Sequence, residues 1–236
     1  MEIRHHATTK KAILFLEIPF YRVMKMEAHF PVIVLGGGGH ARVVIGALRS
    51  QEISIIGFTD PEHTVQQVLG VRYLGNDDVV LDYSPEEVTL TRGLAGSADH
   101  RQVLYEWACG HGFAMPCLRH KSATVDPSVT LMSGSQIMSG AVIQPETYIG
   151  ENATINTNAS VDHECWIGAH THVAPGATIA GSVRVGAKSL IGAGATVIDG
   201  ITVGDNCKVG AGAVVIQDIP AGATVVGVPA KSIHKR

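Results

Sequence analysis

The chain has 236 residues, 45% of them hydrophobic but only 5% aromatic, with 27 glycines and a net charge of −3. The lack of a basic excess argues against nucleic acid as a partner. Four scattered cysteines, Cys109, Cys117, Cys165 and Cys207, exclude a disulfide scaffold and fit a reducing, cytoplasmic compartment.

The first thirty residues resemble a leader only superficially. Lys10 and Lys11 precede "AILFLEIPFY", but Glu17 and Pro19 interrupt that run and no small-residue cleavage site follows. The run is also too short to span a bilayer. Residues 1–30 are therefore expected to be an N-terminal extension, with Met24 or Met26 as an alternative start and no membrane span.

The next segment, "PVIVLGGGGHARVVIGALRS", reads as a buried strand, a glycine loop and an amphipathic helix. Gly36, Gly38 and Ala41 satisfy the G-x-G-x-x-A form, in which glycine lets the backbone approach phosphate and the helix start offers free N–H groups. A second strand, "ISIIGF", leads to Thr59 and Asp60, about where an acidic side chain reaches a ribose hydroxyl. A third, "VTLTRGLAG", passes Gly96 before the helix "ADHRQVLYEWACG". These units predict a small Rossmann-like parallel α/β domain over 31–118. It is too short for the doubly wound sheet of an NAD-dependent oxidoreductase and suits a ligand with one nucleotide, such as a nucleotide-linked sugar. The alternative is that the glycines serve only a tight turn.

From Val125 an aliphatic residue recurs every six positions through Val215, sixteen times without a slip. Small residues such as Ala141, Ala153, Ala159, Cys165, Ala177, Ala195 and Ala213 stand two positions before it. Residues two apart in extended chain point the same way, so both face inward. This is a β-solenoid signature. It resembles the hexapeptide-repeat acyltransferases, which implies a left-handed parallel β-helix over 119–236 with residues eighteen apart stacked. The inward Cys165 and Cys207 then read as small core hydrophobes rather than nucleophiles.

Within "SVDHECWIGAHTHV", His163 lies at a turn and points outward, with Gly181 stacked one coil beyond it. Asp162 and Glu164 flank it, and either could bond one ring nitrogen and raise the basicity of the other. His172 lies half a coil away, on a different side of the prism, so joint action requires a site between subunits. Flat-faced coils make a homotrimer the natural assembly. Zinc needs three convergent ligands. The separations among His163, His170 and His172 do not match the two ligands five apart of solenoid carbonic anhydrases, so no metal is expected. A metal-dependent hydratase of that kind is the alternative from another class. His170 is expected on the surface, and Trp166 at a coil corner or interface.

Front domain and repeat together resemble the NeuD/PglD family of sugar acyltransferases, over 31–236. The motifs are "GGGGHA", "TD" at 59 and 60, "GSADHR", "INTNASVDHECWIGAHTHVAPGATIAG" and "GVPAK". The resemblance implies acetyl-CoA as co-substrate and a nucleotide-linked amino sugar as acceptor, acetylated on its 4-amino group. It places the general base on His163 and its partner on Glu164. Coenzyme contacts fall on His172, Gly181, Ala193 and Ala211, and sugar-nucleotide contacts on Gly39, His40, Ala41, Asp60 and Gly96. O-acetylation of a sugar hydroxyl, as in sialic acid members, is the rival within the family.

Overall fold

The computed structural model describes residues 30–62 and 66–233. The expected N-terminal extension, with Met24 and Met26, lies outside the described residues.

The strand β1 (Val32–Leu35) is a wholly buried aliphatic run, as suits the middle of a parallel sheet. It pairs in parallel with β2 (Ile55–Thr59) on one side and β5 (Thr89–Arg92) on the other. Helix α1 (Gly39–Ser50) buries Ala41, Val44, Ile45, Ala47 and Leu48 against the sheet. Helix α2 (Ala98–Gly110) starts at Ser97, whose hydroxyl accepts the His100 N–H and satisfies one orphan donor of the first turn.

Between β2 and β5 the structure departs from a plain strand–loop–helix series. The chain makes a tight hairpin, β3 (Gln67–Val68) against β4 (Val71–Gly75), then a 3₁₀ turn over Asp77–Asp82. Leu69 and Gly70, both at positive φ (49° and 75°), close that hairpin. The sheet order is β3-β4-β2-β1-β5. The chain leaves β1 in both directions, so a switch-point crevice opens between the loops that follow β1 and β5.

The solenoid is a left-handed parallel β-helix of two-residue strands in three sheets. Register is one coil per eighteen residues: Ile143 meets Val161, Val161 meets Ile179, and Ile179 meets Val197. These inward aliphatics are at most 1% exposed. The solenoid begins before the aliphatic series does, because Leu118–Arg119 pairs with Gln136–Ile137. Arg119 there occupies the register place of Ile137, which hides that first strand from a periodicity search. At the other end Val203 meets Ile219 and Val209 meets Val225, two residues short of a full coil.

The three faces differ in what they present. One carries Leu118, Gln136, Thr154 and His172 outward and is covered by the α/β domain (the docked face). Leu118 and Met138 join Val32, Val34, Ala41, Val44 and Phe58 in one buried cluster, so the domains share a core. A second presents Thr124, Val142, Ser160, Thr178, Thr196 and Val214, uncharged and small (the small-residue face). The third stacks Tyr148 on Trp166 with ring centroids 3.9 Å apart, next to Arg184 (the aromatic face). Trp166 thus lies on a flat face, 40% exposed, not at a corner.

Candidate active site

The turns between faces pass through the left-handed region, at Asn152 (φ 55°), Glu164 (φ 56°), His170 (φ 60°) and Ser182 (φ 57°). Asparagine tolerates that conformation better than glutamate does. Glu164 therefore occupies a place where a smaller residue would be less strained, and its contacts show why.

At the corner between the small-residue and aromatic faces, Asp162 Oδ1 accepts the His163 backbone N–H at 2.7 Å. Glu164 Oε2 stands 3.1 Å from His163 Nδ1. Ser182, one coil on, donates its hydroxyl to the same oxygen at 3.4 Å. Glu164 is thus the carboxylate behind the ring, and Asp162 holds the backbone. A carboxylate at Nδ1 keeps the proton there and leaves Nε2 with its lone pair. The His163 side chain is 56% exposed. Beneath it lies Gly181, where an added Cβ would stand 2.6 Å from His163 Cε1 and 2.7 Å from Nε2. Gly181 seats the imidazole.

No thiol competes for the role of nucleophile nearby. Cys165 is buried, its Sγ bonded to the Ala180 carbonyl at 3.1 Å, and burial pushes its pKa up to about 11.

His172 sits on the docked face, 8% exposed. Asn156 Nδ2 donates to its Nε2 at 3.1 Å, and Asn156 Oδ1 accepts the Thr157 N–H at 2.8 Å, which fixes the amide's orientation. Burial, reinforced by Arg101 and Arg92, pushes His172 down to about 3. His40 Nε2 lies 2.9 Å from Gln136 Oε1, and burial pushes it down to about 4. Both rings are neutral at ordinary pH.

His170, expected on the surface, is instead 8% exposed. Its Nδ1 accepts Asn152 Nδ2 at 2.9 Å, and its ring meets Tyr105 of α2 edge-on at 5.9 Å. Helix α2 covers that corner, and no arithmetic on the repeat reveals it.

At the switch point, Gly38, Gly39 and Gly96 have open space where a Cβ would project. Helix α1 has Gly38 at its N-cap, with no side-chain cap and no acidic residue in its first turn, which leaves its leading N–H groups available to an anion. Asp60, expected to reach toward a ribose, has both oxygens engaged by backbone: Oδ2 by Gly37 N–H at 2.8 Å and Oδ1 by Glu62 N–H at 2.9 Å. It braces the glycine loop. The side chain of Ala41 is fully buried in the domain core, so only its backbone can touch a ligand.

Ala193 and Ala211 lie at the corner between the docked and small-residue faces, exposed and one coil apart. Their N–H groups have no hydrogen-bond partner among the described residues. Two outward donors at the coil rise of about 4.8 Å suit a ligand carrying amides along an extended arm.

The predicted residues thus fall in two places. His40 meets Gln136 in the column Gln136–Thr154–His172, Gly39 precedes it in the chain, Gly96 is held on the same side by Arg101, and Ala193 and Ala211 stand at the neighbouring corner. His163, Glu164 and Gly181 lie across the small-residue face. Among the described residues no group of three His, Cys, Asp or Glu could hold a metal ion.

Three family models match the sequence. PglD N-terminal domain matches residues 31–107, Bacterial transferase hexapeptide (six repeats) matches 146–181, and Hexapeptide repeat of succinyl-transferase matches 182–217. The structure is similar to that of a histidine-to-alanine variant of GDP-perosamine N-acetyl transferase from Caulobacter crescentus, in complex with CoA and GDP-perosamine. The two are 39% identical with a TM-score of 0.84, over 88% of this chain and 99% of that one. The chain belongs to the NeuD/PglD family of sugar acyltransferases. The acetyltransferase domain of PglB from Neisseria gonorrhoeae, in complex with acetyl coenzyme A, is 37% identical with a TM-score of 0.83 over 86% of this chain and 98% of that one. WeeI from Acinetobacter baumannii is 25% identical with a TM-score of 0.80, over 87% and 100%. No curated protein matches the chain.

In this acyltransferase, Asn156, Ser182 and Gln136 support the site but escape a search for chemistry-bearing residues. Stacking by eighteen could have found two of them: Ser182 follows Glu164 by one coil, and Gln136 precedes His172 by two. The neutral histidines also set an acid limit. His40 and His172 titrate near 6.5 when unfolded and at about 4 and about 3 when folded. Between those values the unfolded chain binds more protons, so stability falls as pH drops through that window. The melting temperature is expected to fall between about pH 6.5 and pH 4, and His172→Gln is expected to flatten the slope by up to about 1.4 kcal/mol per pH unit. Identical slopes for both proteins would contradict the buried neutral ring.

Proposed function

We propose that this enzyme transfers the acetyl group of acetyl-CoA to the 4-amino group of a nucleotide-linked amino sugar, with His163 as general base. The observation that carries this reading is the His163 Nδ1–Glu164 contact at 3.1 Å above Gly181, which presents Nε2 as an outward base. The amine nitrogen attacks the thioester carbonyl carbon and its proton passes to His163 Nε2. The C–S bond then breaks, and the departing CoA thiolate takes up a proton. A positioned base typically contributes about 10²–10⁴-fold, and alignment of two bound substrates contributes further. His172 already has Nε2 engaged by Asn156, so backbone N–H groups are the better donors to the developing oxyanion.

The acceptor occupies the switch-point crevice at Gly39, His40 and Gly96, and acetyl-CoA follows Ala193 and Ala211. The solved relatives, one holding CoA and GDP-perosamine and the other acetyl coenzyme A, support the two classes of substrate. His163 then comes from a second copy. Packing uncharged small-residue faces around a threefold axis sets the His163 corner of one protomer beside the Ala193 corner of the next, so a homotrimer holds sites between subunits. Acetyl-CoA and sugar nucleotides place the reaction in the cytoplasm, on precursors of surface polysaccharide or protein glycans. Among the described residues no helix is long and apolar enough to cross a membrane.

The test is product analysis after incubation with acetyl-CoA and 4-amino-sugar nucleotides, with light scattering on the same preparation. A hydroxylamine-stable amide from a trimeric enzyme is expected. A hydroxylamine-labile ester on a sugar hydroxyl would move the enzyme to O-acetylation, and an active monomer would overturn the shared site.

A further inference from the structure

We propose that Arg101 and Arg92 are positioning residues for the acceptor: their guanidinium groups fasten the loop 94–96 to the coils carrying Asn152 and His170. The crevice loop and the docked face of the solenoid are thereby held as one piece. The inference rests on the reading of Gly96 as part of the acceptor site.

Both side chains are buried, Arg92 at 0% and Arg101 at 2% exposure. From one side they grip three successive carbonyls of the loop. Arg92 Nη1 donates to Leu94 at 3.0 Å, and Arg101 Nη1 donates to Ala95 at 3.2 Å and to Gly96 at 2.6 Å. From the other side they hold the solenoid. Arg92 donates from Nε to Asn152 Oδ1 at 2.5 Å, and from Nη2 to the Asn152 carbonyl at 3.0 Å and Thr154 Oγ1 at 2.5 Å. Arg101 Nη2 donates to the His170 carbonyl. Asn152 closes the circuit, its Nδ2 shared by the Arg101 carbonyl at 2.9 Å and His170 Nδ1.

Among the described residues no carboxylate takes part: every acceptor is neutral, and Arg101 Nε has no partner. Two buried cations without counter-charges are an expensive way to join domains, since well-packed apolar residues commonly serve stability as well or better. What two guanidinium forks provide is geometry: several donors in fixed directions, reaching both sides of a seam at once. The loop needs that, because Ala95 has only a methyl group and Gly96 no side chain with which to anchor it.

Lysine keeps the charge but replaces the fork with a single point. Arg101→Lys is therefore expected to raise the KM for the amino-sugar nucleotide by about ten- to a hundredfold, as for the loss of one or two charge-assisted hydrogen bonds. The KM for acetyl-CoA should stay within about twofold, since its column at Ala193 and Ala211 is untouched. Arg92→Lys, which frees Leu94 instead, should give the same split. An unchanged acceptor KM, or equal rises in both KM values, would overturn the proposal. Hydrogen exchange provides an arm that needs no acceptor: amides 94–98 are expected to exchange faster in Arg101→Lys, with the solenoid protected as in the parent. Unchanged exchange there would refute the fastening itself. Faster exchange without turnover of any amino-sugar nucleotide by the parent enzyme would sink the acceptor assignment instead.

Discussion

Replacing His163 with alanine is expected to lower turnover by about 10²–10⁴-fold, the usual contribution of a positioned base. Thermal unfolding should be unaltered, because the side chain is 56% exposed and, among the described residues, its ring hydrogen-bonds only with Glu164. That separation makes the variant informative: a loss of rate in a protein that melts normally reports on chemistry. Steady-state kinetics at saturating acetyl-CoA give the comparison. Near-normal turnover would remove His163 from the mechanism, and with it Glu164, which acts only through the ring.

The second large effect is expected at a residue with no functional group. An alanine Cβ at position 181 would lie 2.6 Å from His163 Cε1, closer than non-bonded carbons approach. The backbone there is not in the left-handed region, so alanine is locally acceptable. The imidazole is the part free to move, and it must swing outward and leave Glu164. Gly181→Ala should thus approach His163→Ala in lost turnover while keeping its fold and its affinity for acetyl-CoA. Kinetics paired with a binding titration would check this. Full activity with a displaced ring would show that the seat over Gly181 is not the working position of the base. A selective loss of acetyl-CoA affinity would return Gly181 to a coenzyme-lining role.

Much of the fold could be read from the sequence because the β-helix writes its geometry as a period. One aliphatic residue per six gives the inward positions, and three such steps give the stacking that sets Gly181 under His163 and Ala193 beside Ala211. The same arithmetic correctly puts His163 and His172 on different sides of the prism. It fails where the pattern is broken by what lies outside the solenoid. Arg119 conceals the first strand, and α2 covers His170, whose burial depends on a docking surface far away in sequence. The hairpin after β2 was invisible because a few residues carry it, among them Leu69 at positive φ.

The interdomain seam shows the limit most clearly. Arg92 ends an otherwise ordinary strand, and Arg101 belongs to a helix whose periodicity leaves no reason to bury a guanidinium. Gln136 and Thr154 sit at outward positions of the repeat, where polar residues are normal. Only when the two domains meet do these four become a buried network, 0–6% exposed together with Thr91. Asp60 shows the same limit: its place in chain order suggests a ligand contact, while its hold on the Gly37 N–H is visible only in three dimensions.

Amine acetylation with His163 as the base can be read from the initial rate of CoA thiol release from acetyl-CoA in the presence of UDP- and GDP-linked 4-amino sugars, with the parent enzyme and His163→Ala side by side. Rapid release is expected with one amino-sugar nucleotide, none above background without acceptor, and near-complete loss in His163→Ala. Release of equal speed from both proteins, or release only with a hydroxyl acceptor, would contradict it.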